Sequence, residues 1–162
     1  MLFRSTEAEG LKIQVLDARK RILGVEHPGT IRAMENLAAT YQSLGKYTEA
    51  EKLEILVLDA RNRTLGVEHP GAIRAMENLA ATYQNLGKYT EAEKLEIQVL
   101  DVSKRIFGME HPDTINAMEN LAVIYYSLGK YTETEKLEKQ VQDARNNLFG
   151  VEHPDTIRTI ES

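Results

Sequence analysis

Apolar residues recur along this chain at a helical step that is broken at fixed intervals. Ile31, Met34, Leu37, Ala38, Tyr41 and Leu44 follow one another in steps of three and four. That spacing predicts one buried face of a helix over about 28–44. Pro28 suits the first helical position, where the missing N–H would have no intrahelical partner, and Gly45 supplies a left-handed stop. A second helix is expected two residues later, through Leu53, Val57 and Ala60 to Leu65, with Gly66 ending it. Thr48-Glu49-Ala50-Glu51 has the form of a capping box, in which the threonine hydroxyl accepts an N–H three residues on and Glu51 reaches back. Thr6 with Glu9, Thr90 with Glu93, and Thr132 with Glu135 repeat it.

The whole pattern returns every 42 residues. Gly24, Gly66, Gly108 and Gly150 are spaced by that interval, and so are the dipeptides that start at His27, His69, His111 and His153, each followed by proline. Cutting before each proline gives units 28–69, 70–111 and 112–153, flanked by partial units 1–27 and 154–162. Aligned from Ile31 and Ile73, two successive copies match at 32 of 42 positions. A helix pair of this size cannot bury both apolar stripes alone, whereas stacked pairs can, so an all-α solenoid is expected. On this reading 1–27 holds only a second helix and 154–162 only the opening turns of a first. The chain thus reads as a stretch of a longer array.

Composition narrows the function classes. Of 162 residues, 42% are hydrophobic and 28% charged, as expected of a folded soluble chain. No apolar run is long enough for a bilayer span and Met1-Leu2-Phe3-Arg4 does not open a signal peptide, so no membrane role and a cytoplasmic setting are expected. The absence of cysteine excludes disulfides, thiolate metal sites and cysteine nucleophiles. A net charge of −5 argues against nucleic acid as partner. Successive histidines stand one repeat apart and cannot converge on a metal ion. No glycine-rich phosphate loop or nucleophile cluster occurs, so neither cofactor nor catalysis is expected. Arg32 and Glu35, three apart on one helix, read as a surface ion pair, and Glu49, Glu51, Arg61 and Arg63 as charges matched to the helix dipole.

Leu37-Ala38, Tyr41, Gly45, Tyr47 and Ala50 together resemble a tetratricopeptide repeat (TPR). The longer period, with Asn36-Leu37-Ala38, the run from Gly45 to Glu51 and Leu65-Gly66-Val67-Glu68-His69-Pro70, is similar to kinesin light chain repeats and to the sensor arrays of STAND-type (NB-ARC or NACHT) receptors. Glu54 and Glu96 depart from shorter TPRs, which often carry an aromatic residue there. The resemblance implies a right-handed superhelical solenoid with a concave groove lined by the first helices. Groove positions would then be Arg32, Asn36 and Gln42, then Arg74, Asn78, Gln84 and Asn85, and then Asn116, Asn120, Val123 and Tyr126. Asparagine amides offer a donor and an acceptor to a peptide main chain; the alternative is that Asn36, Asn78 and Asn120 bond neighbouring helices. Glu35, Glu77 and Glu119 argue against a cationic clamp for acidic tails.

Six tyrosines repeat at what read as core positions (Tyr41, Tyr83, Tyr125; Tyr47, Tyr89, Tyr131), while Tyr126 replaces Gln42 and Gln84 on the groove wall. Lys139 and Gln142 replace the apolar pairs Ile55 with Leu58 and Ile97 with Leu100, as expected near the capped end of an array. The implied function is a non-catalytic protein–protein interaction module that accepts a peptide or partner protein, as a receptor sensor array would. The alternatives are a self-associating scaffold, a homo-oligomer through exposed repeat ends, and a kinesin-light-chain-like cargo adaptor.

Overall fold

The computed structural model describes residues 2–149. Among these the chain is helical throughout: α1 (Leu2–Leu23), α2 (Pro28–Ser43), α3 (Tyr47–Leu65), α4 (Pro70–Asn85), α5 (Tyr89–Phe107), α6 (Pro112–Ser127) and α7 (Tyr131–Phe149). His153 and the helix expected to begin at Pro154 lie outside the described residues. No described helix is long and apolar enough to cross a membrane.

Local chemistry sets the ends of the helices. His27, His69 and His111 are N-caps, their Nδ1 atoms accepting the backbone N–H of Gly29, Gly71 and Asp113 at 2.9, 2.9 and 3.1 Å. This recurring histidine is a cap two residues before the first free N–H, with proline seated beside it. At the other end Gly45 takes φ +73°. Its N–H reaches Gln42 O at 3.0 Å and that of Lys46 reaches Tyr41 O at 2.8 Å, the paired bonds of a Schellman stop.

The expected capping box does not form. Thr48 is already the second residue of α3, and the N-cap, Lys46, makes no side-chain bond; Lys88 before α5 is the same. Helical bonding starts early because the chain turns straight out of the glycine stop, so that Ala50 N–H bonds Lys46 O at 3.1 Å. The box glutamates serve between neighbouring helix pairs instead: Glu9 holds Lys46 at 2.9 Å and Glu93 holds Lys130 at 2.8 Å.

The chain divides into two compact units, Met1–Gly87 and Lys88–Ser162. In the first, α1 packs on α2, α2 on α3 and α3 on α4. Leu16, Ile31, Ala33, Met34, Leu37, Val57, Ala60 and Ala75 form its core. In the second, α5 packs on α6 and α6 on α7, around buried Val99, Leu100, Ile115, Met118, Leu121, Ile124 and Val141. Each large apolar side chain so buried contributes about 1.5–3 kcal/mol. The repeated tyrosines are not in these cores. Tyr41, Tyr83, Tyr125, Tyr47 and Tyr89 are half-buried and Tyr131 is exposed. The large amphipathic rings sit at the edge of the packing, Tyr41 against the first core. Burial pushes the phenols of Tyr41 and Tyr125 up.

Candidate functional site

In the first unit the chemistry gathers where α2, α3 and α4 meet. Glu54 of α3 is only 5% exposed and accepts from Gln42 Nε2 at 2.7 Å and from Thr82 Oγ1 at 2.9 Å. Gln42 also donates to the Thr82 hydroxyl at 2.8 Å. Burial pushes the Glu54 carboxyl up to about 7, against the two hydrogen bonds that lower it. A small cavity of about 90 Å³ opens above this contact, between Glu35, Ala39 and Asn78. One repeat earlier the same pair of positions holds Lys12 and Thr40, bonded at 2.6 Å. One repeat later it holds Glu96 and Ile124, both buried.

The expected groove residues lie on the outer faces of the first helices. Arg32 and Asn36 on α2, Arg74, Asn78 and Asn85 on α4, and Asn116, Asn120, Val123 and Tyr126 on α6 are all exposed or half-buried, and Gln42 and Gln84 are half-buried. Gln42 departs from the expectation of an open groove contact. Both amide hydrogens face Glu54 and Thr82, which leaves its carbonyl oxygen for a ligand. Asn85 donates to Ala81 O of its own helix at 3.1 Å, as Ser43 and Ser127 do at the equivalent place. No hydrogen bond among the described residues ties the side chains of Asn36, Asn78 and Asn120 to a neighbouring helix.

The expected pairing of Arg32 with Glu35 is replaced by a contact between helices. Glu35 binds Arg61 of α3 at 2.8 Å, and Glu119 binds Arg145 of α7 in the second unit. The glutamates Glu35 and Glu119, which argue against a cationic clamp, are thus neutralised within their own hairpins. Arg61, expected to answer the helix dipole, is committed to Glu35, while Arg63 pairs with Glu26 and Asp59.

In the second unit, α6 and α7 border an open cleft of about 640 Å³. Val123 and Tyr126, 58% and 64% exposed, form one wall. Glu135, Glu138, Lys139 and Gln142 form the other, with the Glu119–Arg145 pair at its edge. Tyr126 also meets Tyr131 edge to face, with ring centroids 5.3 Å apart. Among the described residues no group of three or more metal-binding side chains occurs.

Two family models described as Tetratricopeptide repeat match residues 30–71 and 72–147. A crystal structure of nearly identical TPR-like repeats, from a Podosopora anserina protein described as a kinesin light chain, is 30% identical. It matches over 96% of this chain and 74% of its own, with a TM-score of 0.86. The chain belongs to the tetratricopeptide repeat family. A variant of that relative matches at 29% identity and a TM-score of 0.86, over 96% of this chain and 73% of its own. BtubC (BKLC) from P. vanneervenii shares the fold at 22% identity and a TM-score of 0.79, over 98% of this chain and 63% of its own. No curated protein matches the sequence.

Within this TPR frame, sequence reasoning placed the first-helix stripe and missed the contacts that fix it. Thr82 and Glu54 lie 28 residues apart and Arg61 and Glu35 lie 26 apart. The two repeat positions read Lys12 with Thr40, Glu54 with Thr82 and Glu96 with Ile124. Only one of the pair changes at each step, so no joint change could have signalled the contact.

Proposed function

We propose that the chain is a non-catalytic protein-recognition module whose exposed first-helix residues hold a peptide or a partner protein. TPR repeats generally mediate protein–protein interaction. The observation that carries the proposal here is that Tyr126 and Val123, 64% and 58% exposed, stand on a first helix that otherwise repeats. Tyrosine offers a large rigid contact area at small entropic cost, which is why it is enriched where binding energy concentrates. Unbonded amides at Asn36, Asn78 and Asn120 supply donors and acceptors for a main chain.

The named neighbours carry kinesin-light-chain-type repeats, which favours an adaptor over the receptor-array expectation. A cytoplasmic setting belongs to this reading. Selection from a library of 12-residue peptides tests it. Binders are expected, and Tyr126→Gln or Asn78→Ala should weaken them by about 1–2 kcal/mol, roughly five- to thirtyfold in Kd by calorimetry. Binders indifferent to both substitutions would place recognition elsewhere.

A further inference from the structure

Packing of the first unit leaves one opening between α2, α3 and α4, all of which lie within that unit. This cavity of about 90 Å³ has alanine and valine walls, and its polar lining is Glu35, Gln42, Glu54 and Asn78. A water takes ~30 Å³, so about three waters or the tip of one side chain would fill it. The hydrogen bonds of the lining are one-sided. Gln42 directs both amide hydrogens at Glu54 and Thr82, so its carbonyl oxygen stays open. Arg61 bonds a single oxygen of Glu35 twice, at 3.0 and 2.8 Å, and leaves the other. Glu54 receives one hydrogen from Gln42 and one from the Thr82 hydroxyl, which has only one to give. A carboxylate can accept about four, so half of that capacity is open.

Among the described residues no cation bonds Glu54. Burial, first, and Glu51 of its own helix raise its carboxyl, while Thr82 and Gln42 lower it. The other charges on α2, α3 and α4 are engaged or in water. Glu35 closes on Arg61 and Asp59 on Arg63, and Glu77 has a partner. Arg32, Glu49, Lys52 and Arg74 are exposed.

We propose that this cavity is a subsite for the ammonium of a lysine side chain, which enters from a peptide held along the first helices and pairs with Glu54. Such a subsite rests on the peptide-binding function proposed for those helices, because the peptide presents the lysine. An ammonium is a compact charge with three hydrogens on a slender stem. Glu54, Gln42 and the open oxygen of Glu35 offer three acceptors to match it. Arginine carries five donors on a flat fork, more than these acceptors satisfy. A buried ion pair offsets its desolvation only when further hydrogen bonds complete it, and Gln42 and Glu35 supply them. Glu54 keeps its proton up to about pH 7, so a lysine entering below that pH must displace it, and binding is linked to proton release.

Titrating an amine alone separates the subsite from the groove that would present it. n-Propylammonium carries the lysine tip, and NMR of the side-chain amides of Gln42 and Asn78 reads its entry. Saturable shifts are expected with a Kd on the order of 1–10 mM. None are expected with tetramethylammonium, which has the charge but no N–H. The Kd should fall about thirtyfold from pH 5.5 to pH 8, because only the ionised carboxylate pairs. Glu54→Gln should weaken binding about tenfold or more at pH 8 and remove the pH dependence. Ala39→Leu should fill the cavity and block entry with unchanged helical circular dichroism, since α6 already carries the larger Val123 at that position. The proposal is overturned by shifts that do not saturate, by equal shifts with tetramethylammonium, or by a Kd indifferent to both pH and Glu54→Gln. Library peptides form the second arm. Norleucine in place of the lysine of a selected binder should cost about tenfold in Kd with the wild type and little with Glu54→Gln. Binders that need no lysine also overturn the proposal. An amine site without library binders keeps the subsite and rejects the peptide groove.

Discussion

Glu54 in the first unit and Glu138 in the second occupy the same repeat position, and their surroundings have little in common. Glu54 is sealed under α4, fixed by Gln42 and Thr82. Glu138 is exposed on the wall of an open cleft. Where Gln42 and Ala39 stand in the first unit, the second has Tyr126 and Val123. A side chain in a repeat therefore takes its role from the next helix as much as from its own. The same carboxylate helps fix α3 to α4 in one place and lines an open cleft in another.

Titration is the strongest way to break this contrast. Burial holds the Glu54 carboxyl at about 7, above its ordinary 4.5. Between those values the folded protein keeps a proton that the unfolded chain releases. Stability from this group is therefore full below pH 4.5 and is lost as pH rises through about 7, a change of up to ~3 kcal/mol. Urea unfolding from pH 4.5 to 7.5 should show Glu54→Gln gaining on the wild type by up to that amount as pH rises. A Glu54→Gln difference that ignores pH would show that the carboxyl is not held against water.

The sequence showed much of the scaffold and less of what joins it. Ile31, Met34 and Leu37 carry a helical period that survives in any context, and Gly45 can stop a helix by its own backbone freedom, so these features were legible one unit at a time. The capping box at Thr48 looked just as local and was not. Whether a threonine caps depends on where the preceding turn delivers the chain, and the Gly45 stop puts the N-cap two residues early, at Lys46. Glu54 and Arg61 were harder still. Their partners lie on other helices, and a surface-like composition gives no sign that a carboxylate will be covered.

Thr82 sharpens the comparison on a smaller scale. Its hydroxyl lies 2.9 Å from each oxygen of the Glu54 carboxylate. Thr82→Val keeps the shape and removes the donor, so a loss of about 1–2 kcal/mol is expected in urea unfolding at pH 7. Combined with Glu54→Leu, the loss should shrink, because the two groups act on each other. Ile124, the residue of α6 at the same position, already fills this place without a hydroxyl. Full additivity of the two changes would mean that the hydroxyl stabilises α4 by some other route.

The smallest effects belong to the two ion pairs, and they separate scaffold from surface most finely. Arg61 and Glu35 are 18% and 34% exposed, Arg145 and Glu119 26% and 39%. Part-exposed pairs contribute little, so Arg61→Ala should cost ~0.5–1 kcal/mol and Arg145→Ala less. Both losses should fall further between 0.05 and 1 M salt on account of screening, roughly a Debye length of 3 Å at the upper end. The second pair differs in kind because it edges the α6–α7 cleft. A partner seated there would remove water from Glu119 and Arg145 and strengthen their attraction, so the effect of Arg145→Ala should move from stability into affinity. Equal and salt-insensitive losses of stability from both substitutions would erase that distinction and make the cleft edge one more piece of scaffold.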